Sequence, residues 1–80
     1  MNAATEQSFL DEIVAASGLA PLLAPFTVTR LLIKAGVTPA TVDADGLRRA
    51  LPELEHGLAV YLSPEQLEEA LARLRDLAAR

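Results

Sequence analysis

Between Asp43 and Ala79 leucines recur in steps of three and four. Leu47, Leu51, Leu54, Leu58 and Tyr61/Leu62 mark one stripe, and Leu67, Leu71, Leu74 and Leu77/Ala78 mark a second. Steps of that size place each set on one face of an α-helix. The stripes meet at Ser63-Pro64-Glu65-Gln66, which reads as a helix start. The serine hydroxyl can cap, proline suits the first helical position, and the glutamine can close a capping box. The spacing predicts helices over about 43–62 and 64–79, packed as an antiparallel hairpin because their connection is so short. Pro52 removes a backbone donor inside the first stripe, and Gly57 weakens it by ~1 kcal/mol relative to Ala. The stripe keeps its phase across both, which predicts one bent helix.

Upstream the elements are shorter. Ser8, followed by Asp11 and Glu12, opens a helix near Thr5 or Ser8, since a hydroxyl caps the first turn and acids suit its positive end. Its inner face is Phe9, Leu10, Ile13, Val14 and Ser17, and Gly18 is its stop. Residues 1–5 read as a frayed lead. A further helix is expected from Pro25 or Phe26 to Ala35, with Phe26, Leu31, Leu32 and Ile33 facing inward and Gly36 closing it. Thr38-Pro39 opens a short turn through Val42, and Asp43 or Asp45 caps the first leucine stripe. No strand-like alternation, internal repeat or low-complexity run interrupts this pattern. The fold class is therefore all-α: a compact array of four to five short amphipathic helices in a single domain, 1–80. The expected core is Phe9, Ile13, Val14, Phe26, Leu31, Leu32, Ile33, Leu47, Leu51, Leu54, Leu58, Leu62, Leu67, Leu71 and Leu74.

Composition changes this picture in one respect. The chain has 80 residues and no cysteine, so no disulfide can staple it. A domain of this size buries only ~60% of its unfolded surface. Yet 51% of its residues are apolar and only 22% charged. Few helix positions can be fully buried here, so apolar side chains should be left over, and such a surplus marks an interface. The uncharged run over residues 13–29 is where it concentrates. Gly18, Pro21 and Pro25 break that run, which is shorter than the ~20 apolar residues of a membrane span. Leu19, Leu22, Leu23 and Phe26 are accordingly the candidate interface residues, because connecting segments are normally polar.

The net charge is −4, with Arg30, Lys34, Arg48, Arg49, Arg73, Arg75 and Arg80 interleaved among acids. Massed cations would be needed to hold nucleic acid or an anionic membrane, so neither is an expected partner. The first residues lack the basic region of a secretory signal, which sets a cytoplasmic expectation. The preference for Arg over Lys, with abundant Ala and Leu, points to a GC-rich bacterial source.

Candidate chemistry is sparse. His56 is the single histidine, off the leucine stripe beside Glu53 and Glu55, and no cysteine or spaced carboxylate set joins it as a metal site. Asp43-Ala44-Asp45-Gly46 has the opening of a calcium loop, but Leu54 stands where that loop needs its bidentate glutamate. Glu65, Glu68 and Glu69 suit the start of the last helix. Ser8, Ser17 and Ser63 have no partner base that the sequence can name. No glycine-rich phosphate loop is present. No enzyme activity, cofactor, metal or small-molecule substrate is expected.

Two resemblances bear on function. Residues 35–42, Ala-Gly-Val-Thr-Pro-Ala-Thr-Val, resemble the turn and recognition-helix start of helix-turn-helix regulators, where Ala-Gly-Val-Ser-x-x-Thr-Val is common. That resemblance implies a DNA-binding regulator using the 31–49 region. The sequence departs from it at Leu32, where the motif has a small residue, and at Asp45, where it has an apolar anchor. The acyl carrier family is likewise acidic, helical and of this length. It attaches its cofactor to the serine of Asp-Ser-Leu, and the nearest match here, Asp45-Gly46-Leu47, lacks the hydroxyl. The reading that follows from the residues is a small acidic helical protein–protein interaction or dimerisation module without catalytic chemistry. Its partner would be another protein or a second copy, a homo-oligomer. The alternative is the helix-turn-helix-like regulator.

Overall fold

The computed structural model of the chain describes residues 8–80, and their regular structure is helical throughout. The lead expected over residues 1–5 lies outside the described residues. Helix α1 spans Phe9–Ala16. Ser8 caps it, its Oγ accepting from the Asp11 N–H at 3.1 Å. Past its end the buried Ser17 hydroxyl donates to the Val14 carbonyl at 2.7 Å, and Gly18 turns the chain at φ +78°.

Helix α2 spans Ala24–Lys34. It starts one turn after Ala20, whose carbonyl accepts from both the Leu23 and Ala24 N–H groups at 2.9 Å. Pro25 sits in its first turn, where no donor is missed. At its far end Gly36, at φ +82°, donates to Ile33, and Val37 donates to Leu32, both at 2.9 Å. This paired arrangement satisfies carbonyls that the helix would otherwise leave open. It also carries Val37 into the core.

One 3-10 turn, Pro39–Thr41, leads through buried Val42 to α3, Ala44–Leu58. Of the two aspartates expected to cap it, Asp43 does so, accepting from the Gly46 N–H at 2.8 Å. Asp45 instead pairs with Arg48 at 3.0 Å and Arg49 at 3.3 Å. α3 continues through Pro52 and ends at Leu58, short of the expected 62, in a turn over residues 59–62. Helix α4 spans Pro64–Ala78 and starts with the complete capping box between Ser63 and Gln66.

α3 and α4 share the largest contact in the molecule. Leu47, Leu54 and Leu58 of α3 and Leu74 of α4 are fully buried, as are Ala50 and Ala70. The pair is antiparallel: Arg48, in the second turn of α3, donates to the carbonyl of Ala78 at the end of α4, at 3.0 Å. A second arginine does the same for α1. Arg73 Nε of α4 donates to the Ala16 carbonyl at 3.2 Å, and Arg80 holds Glu12. Cations at helix C-termini meet both the open carbonyls and the negative end of the dipole.

Two residues expected in the core are not there. Phe26 and Ile33 are both exposed. α2 turns Ala24, Val28, Leu31 and Leu32 inward, and at 3.6 residues per turn Phe26 and Ile33 fall on the far side. Phe9, Val14, Leu51, Leu62 and Leu67 are half-buried against the core rather than inside it. Val28, Val37 and Val42 complete the core that the leucine pattern left short.

Gly57 has a structural use that propensity does not reveal. A Cβ there would meet buried Leu31 of α2, with Cδ1 at 2.7 Å and Cγ at 3.0 Å. The bare backbone lets α2 and α3 approach. Gly57→Ala gains ~1 kcal/mol of helix propensity but overpacks by ~1–3 kcal/mol. A net loss of about 1 kcal/mol, or roughly 5 °C in Tm, is expected in thermal unfolding followed by circular dichroism. In a Leu31→Ala background the clash is gone, and the same glycine substitution should raise Tm.

Candidate functional site

The candidate interface residues separate in the structure. Leu19 packs half-buried against the core. Leu22, Leu23 and Phe26 are free: Leu22 is 93% exposed, Leu23 48% and Phe26 71%. Ile33, assigned to the core by its sequence pattern, joins them at 60% exposed. Phe26 and Ile33 are seven residues apart, two turns of α2, so they stand in line on its outer side. Leu22, one turn earlier, continues that line into the chain entering the helix. Between them Arg30 lays its guanidinium over the Phe26 ring, 5.8 Å from the centroid. α2 thus has two apolar faces, one buried and one in water. The sign in the sequence was a helix with too many apolar positions for a single stripe.

Beside this face runs a groove of about 440 Å³ between α2 and the end of α3. Leu31 and Gly57 form its floor, Thr27, Arg30 and Lys34 one wall, and Glu53, His56, Val60 and Tyr61 the other. Val60 is 77% exposed and Tyr61 46%, so the lip beyond the groove is also apolar. Lys34 reaches Glu53 at 3.8 Å across one end, a long and largely exposed pair. Sequence reasoning missed Val60, Tyr61 and the groove, because they depend on how α2 crosses α3.

The polar residues weighed as chemistry have other uses. Ser8 and Ser63 cap helices, and Ser17 is bonded to the Val14 carbonyl. Asp43 caps α3 and Asp45 holds two arginines. His56 is exposed on the groove wall, and Glu65, Glu68 and Glu69 are exposed on α4. Among the described residues no group of three His, Cys, Asp or Glu side chains is placed to hold a metal ion. None of the described helices is long and apolar enough to cross a membrane. Where the resemblance to helix-turn-helix regulators implies a recognition helix, after Thr38, the chain makes the single 3-10 turn and then extends through Val42. Comparison with protein-family models, with curated proteins and with solved structures finds no match to this chain.

The outer face of α2 contributes little to folding, and this can be measured directly. Leu22→Ser and Phe26→Ser should each cost no more than about 1 kcal/mol in chemical denaturation, as surface substitutions do. Leu54→Ala, on the buried seam, should cost ~2–5 kcal/mol. Comparable losses at Leu22 and Leu54 would contradict the assignment of an outer face.

Proposed function

We propose that this chain is a protein–protein interaction or dimerisation module without catalytic chemistry, and that the outer face of α2 is its working surface. One observation carries the reading. Phe26 and Ile33 stand in line, exposed, on a helix whose other side already completes the core, and Leu22 is exposed in the turn that enters it. Full burial of such a side chain stabilises by about 1.5–3 kcal/mol, and Leu22, Phe26 and Ile33 forgo most of it by remaining largely in water. A fold this small has little stability to spare. Three such side chains are therefore better explained by a second surface that covers them than by folding. The aliphatic stem and charge of Arg30 beside Phe26 fit a contact zone, where arginine and aromatic side chains are enriched.

The test is site-specific photo-crosslinking in the native host. A benzophenone amino acid replaces Phe26 in one strain and the exposed Ala72 of α4 in another. Protein adducts, with a second copy or with another chain, should form at position 26 and not at 72. No adduct at 26 above the level at 72 would refute the reading.

A further inference from the structure

We infer that the occupant of the α2 face is an acidic amphipathic helix of another protein, seated on the Leu22–Phe26–Ile33 line with its carboxylates against Arg30 and Lys34. This rests on the reading of α2 as the working surface and goes on to name the partner's chemistry. Shape comes first. From Leu22 to Ile33 the line covers roughly three turns, about 16 Å. That is the reach of a helix docking through anchors at i, i+3 or i+4, and i+7. Across Arg30 the exposed Val60 and Tyr61 supply a second apolar rail. The surface therefore runs from the apolar line through Arg30 to a rim where Val60 and Tyr61 stand beside His56, with the Lys34–Glu53 pair at one end, which suits the ridge and flank of an amphipathic helix.

Charge decides what that flank carries. Residues 13–42 contain no Asp or Glu, and their only charges are Arg30 and Lys34. The rest of the chain holds all 11 acids and the five other bases. α2 thus carries two cations and no acid of its own, and Glu53 of α3 faces Lys34 across the groove, leaving Arg30 as the cation without a carboxylate there. Arg48 and Arg49 share Asp45, Arg80 holds Glu12, and Lys34 reaches Glu53 at 3.8 Å, whereas Arg73 and Arg75 pair with no carboxylate among the described residues. Among the described residues Arg30 pairs with no carboxylate and lies against an aromatic ring. A partner bringing carboxylates beside its apolar ridge satisfies Arg30. A neutral or basic one would cover it without compensation.

The same charges argue against a second copy. Pairing α2 with its own equivalent about a two-fold axis sets Arg30, near the middle of the line, close to its copy with no acid on either helix. Pairing α2 with another face of a second copy supplies acids but no ridge. Among the described residues the exposed large apolar side chains are Leu22, Leu23, Phe26, Ile33, Val60 and Tyr61, and none belongs to α1 or α4. An anionic membrane would need a denser basic cluster than two cations on a chain of net charge −4.

The experiment uses two synthetic helical peptides of about 18 residues with an identical leucine ridge, one flanked by Glu and one by Lys. Each is titrated into isotope-labelled protein and followed by amide NMR shifts. The Glu peptide should bind at α2 and residues 56–61, at least tenfold more tightly than the Lys peptide. Arg30→Glu should weaken it about tenfold, with helicity unchanged by circular dichroism. No binding, equal binding of both peptides, shifts mapping elsewhere, or an Arg30→Glu variant that binds as before would each overturn the inference. Sedimentation equilibrium and vesicle co-sedimentation identify the other occupants. A dimer dissolved by Phe26→Ser would overturn the inference while leaving the proposed function standing. Binding to phosphatidylserine vesicles, lost in Phe26→Ser, would overturn both.

Discussion

The leucine seam between α3 and α4 is what the remaining contacts are built on. Leu47, Leu54 and Leu58 of α3 and Leu74 of α4 are wholly buried, each stabilising by ~1.5–3 kcal/mol relative to exposure. Local signals fix the ends of these two helices: Asp43 at one start, and the Ser63–Gln66 box at the other. A five-residue connection then leaves the helices little choice but to fold back on each other. Without a cysteine, the domain relies on this seam to set the positions onto which α1 and α2 are laid.

That antiparallel seam also determines how the helix ends are satisfied. Open carbonyls at a helix C-terminus need donors, and α1 and α4 each receive an arginine from a neighbouring helix. Arg48 can reach Ala78 because the start of α3 lies beside the end of α4. Arg73 reaches Ala16 because α1 docks on α4. α2 needs no such help, since Gly36 and Val37 close it with backbone bonds. No described side-chain polar atom is left buried without a hydrogen bond. The polar residues of this fold are largely committed to ends and caps, and its apolar surplus is concentrated on one helix.

α2 is where the core and the proposed contact surface meet. It crosses α3 at Gly57, close enough that a methyl group there would meet Leu31. Once the inner face of α2 is seated at that crossing, Phe26 and Ile33 must point outward. The crossing also opens the groove toward Val60 and Tyr61. One contact thus orients the buried face, the exposed face and the cleft beside it. The inner side of α2 is filled by buried Ala24, Thr27, Val28, Leu31 and Leu32, so the exposed side chains have no place there.

The amino-acid sequence by itself determined that the protein is helical and where most of its helices begin and end. Capping at Ser8, Ser63 and Asp43, the stops at Gly18 and Gly36, and the leucine period are local, set within a turn or two of chain. It also marked residues 19–26 as more apolar than a connection requires; of the four side chains named there, Leu22, Leu23 and Phe26 are exposed and Leu19 is half-buried. Tertiary structure alone decided which of the two apolar faces of α2 turns inward, removing Phe26 and Ile33 from the core and admitting Val28, Val37 and Val42. It likewise gave Gly57 and the arginines Arg48 and Arg73 their uses. The physical reason is that periodicity fixes the spacing of side chains along a helix, whereas the phase of a helix about its own axis is set by the surfaces packed against it.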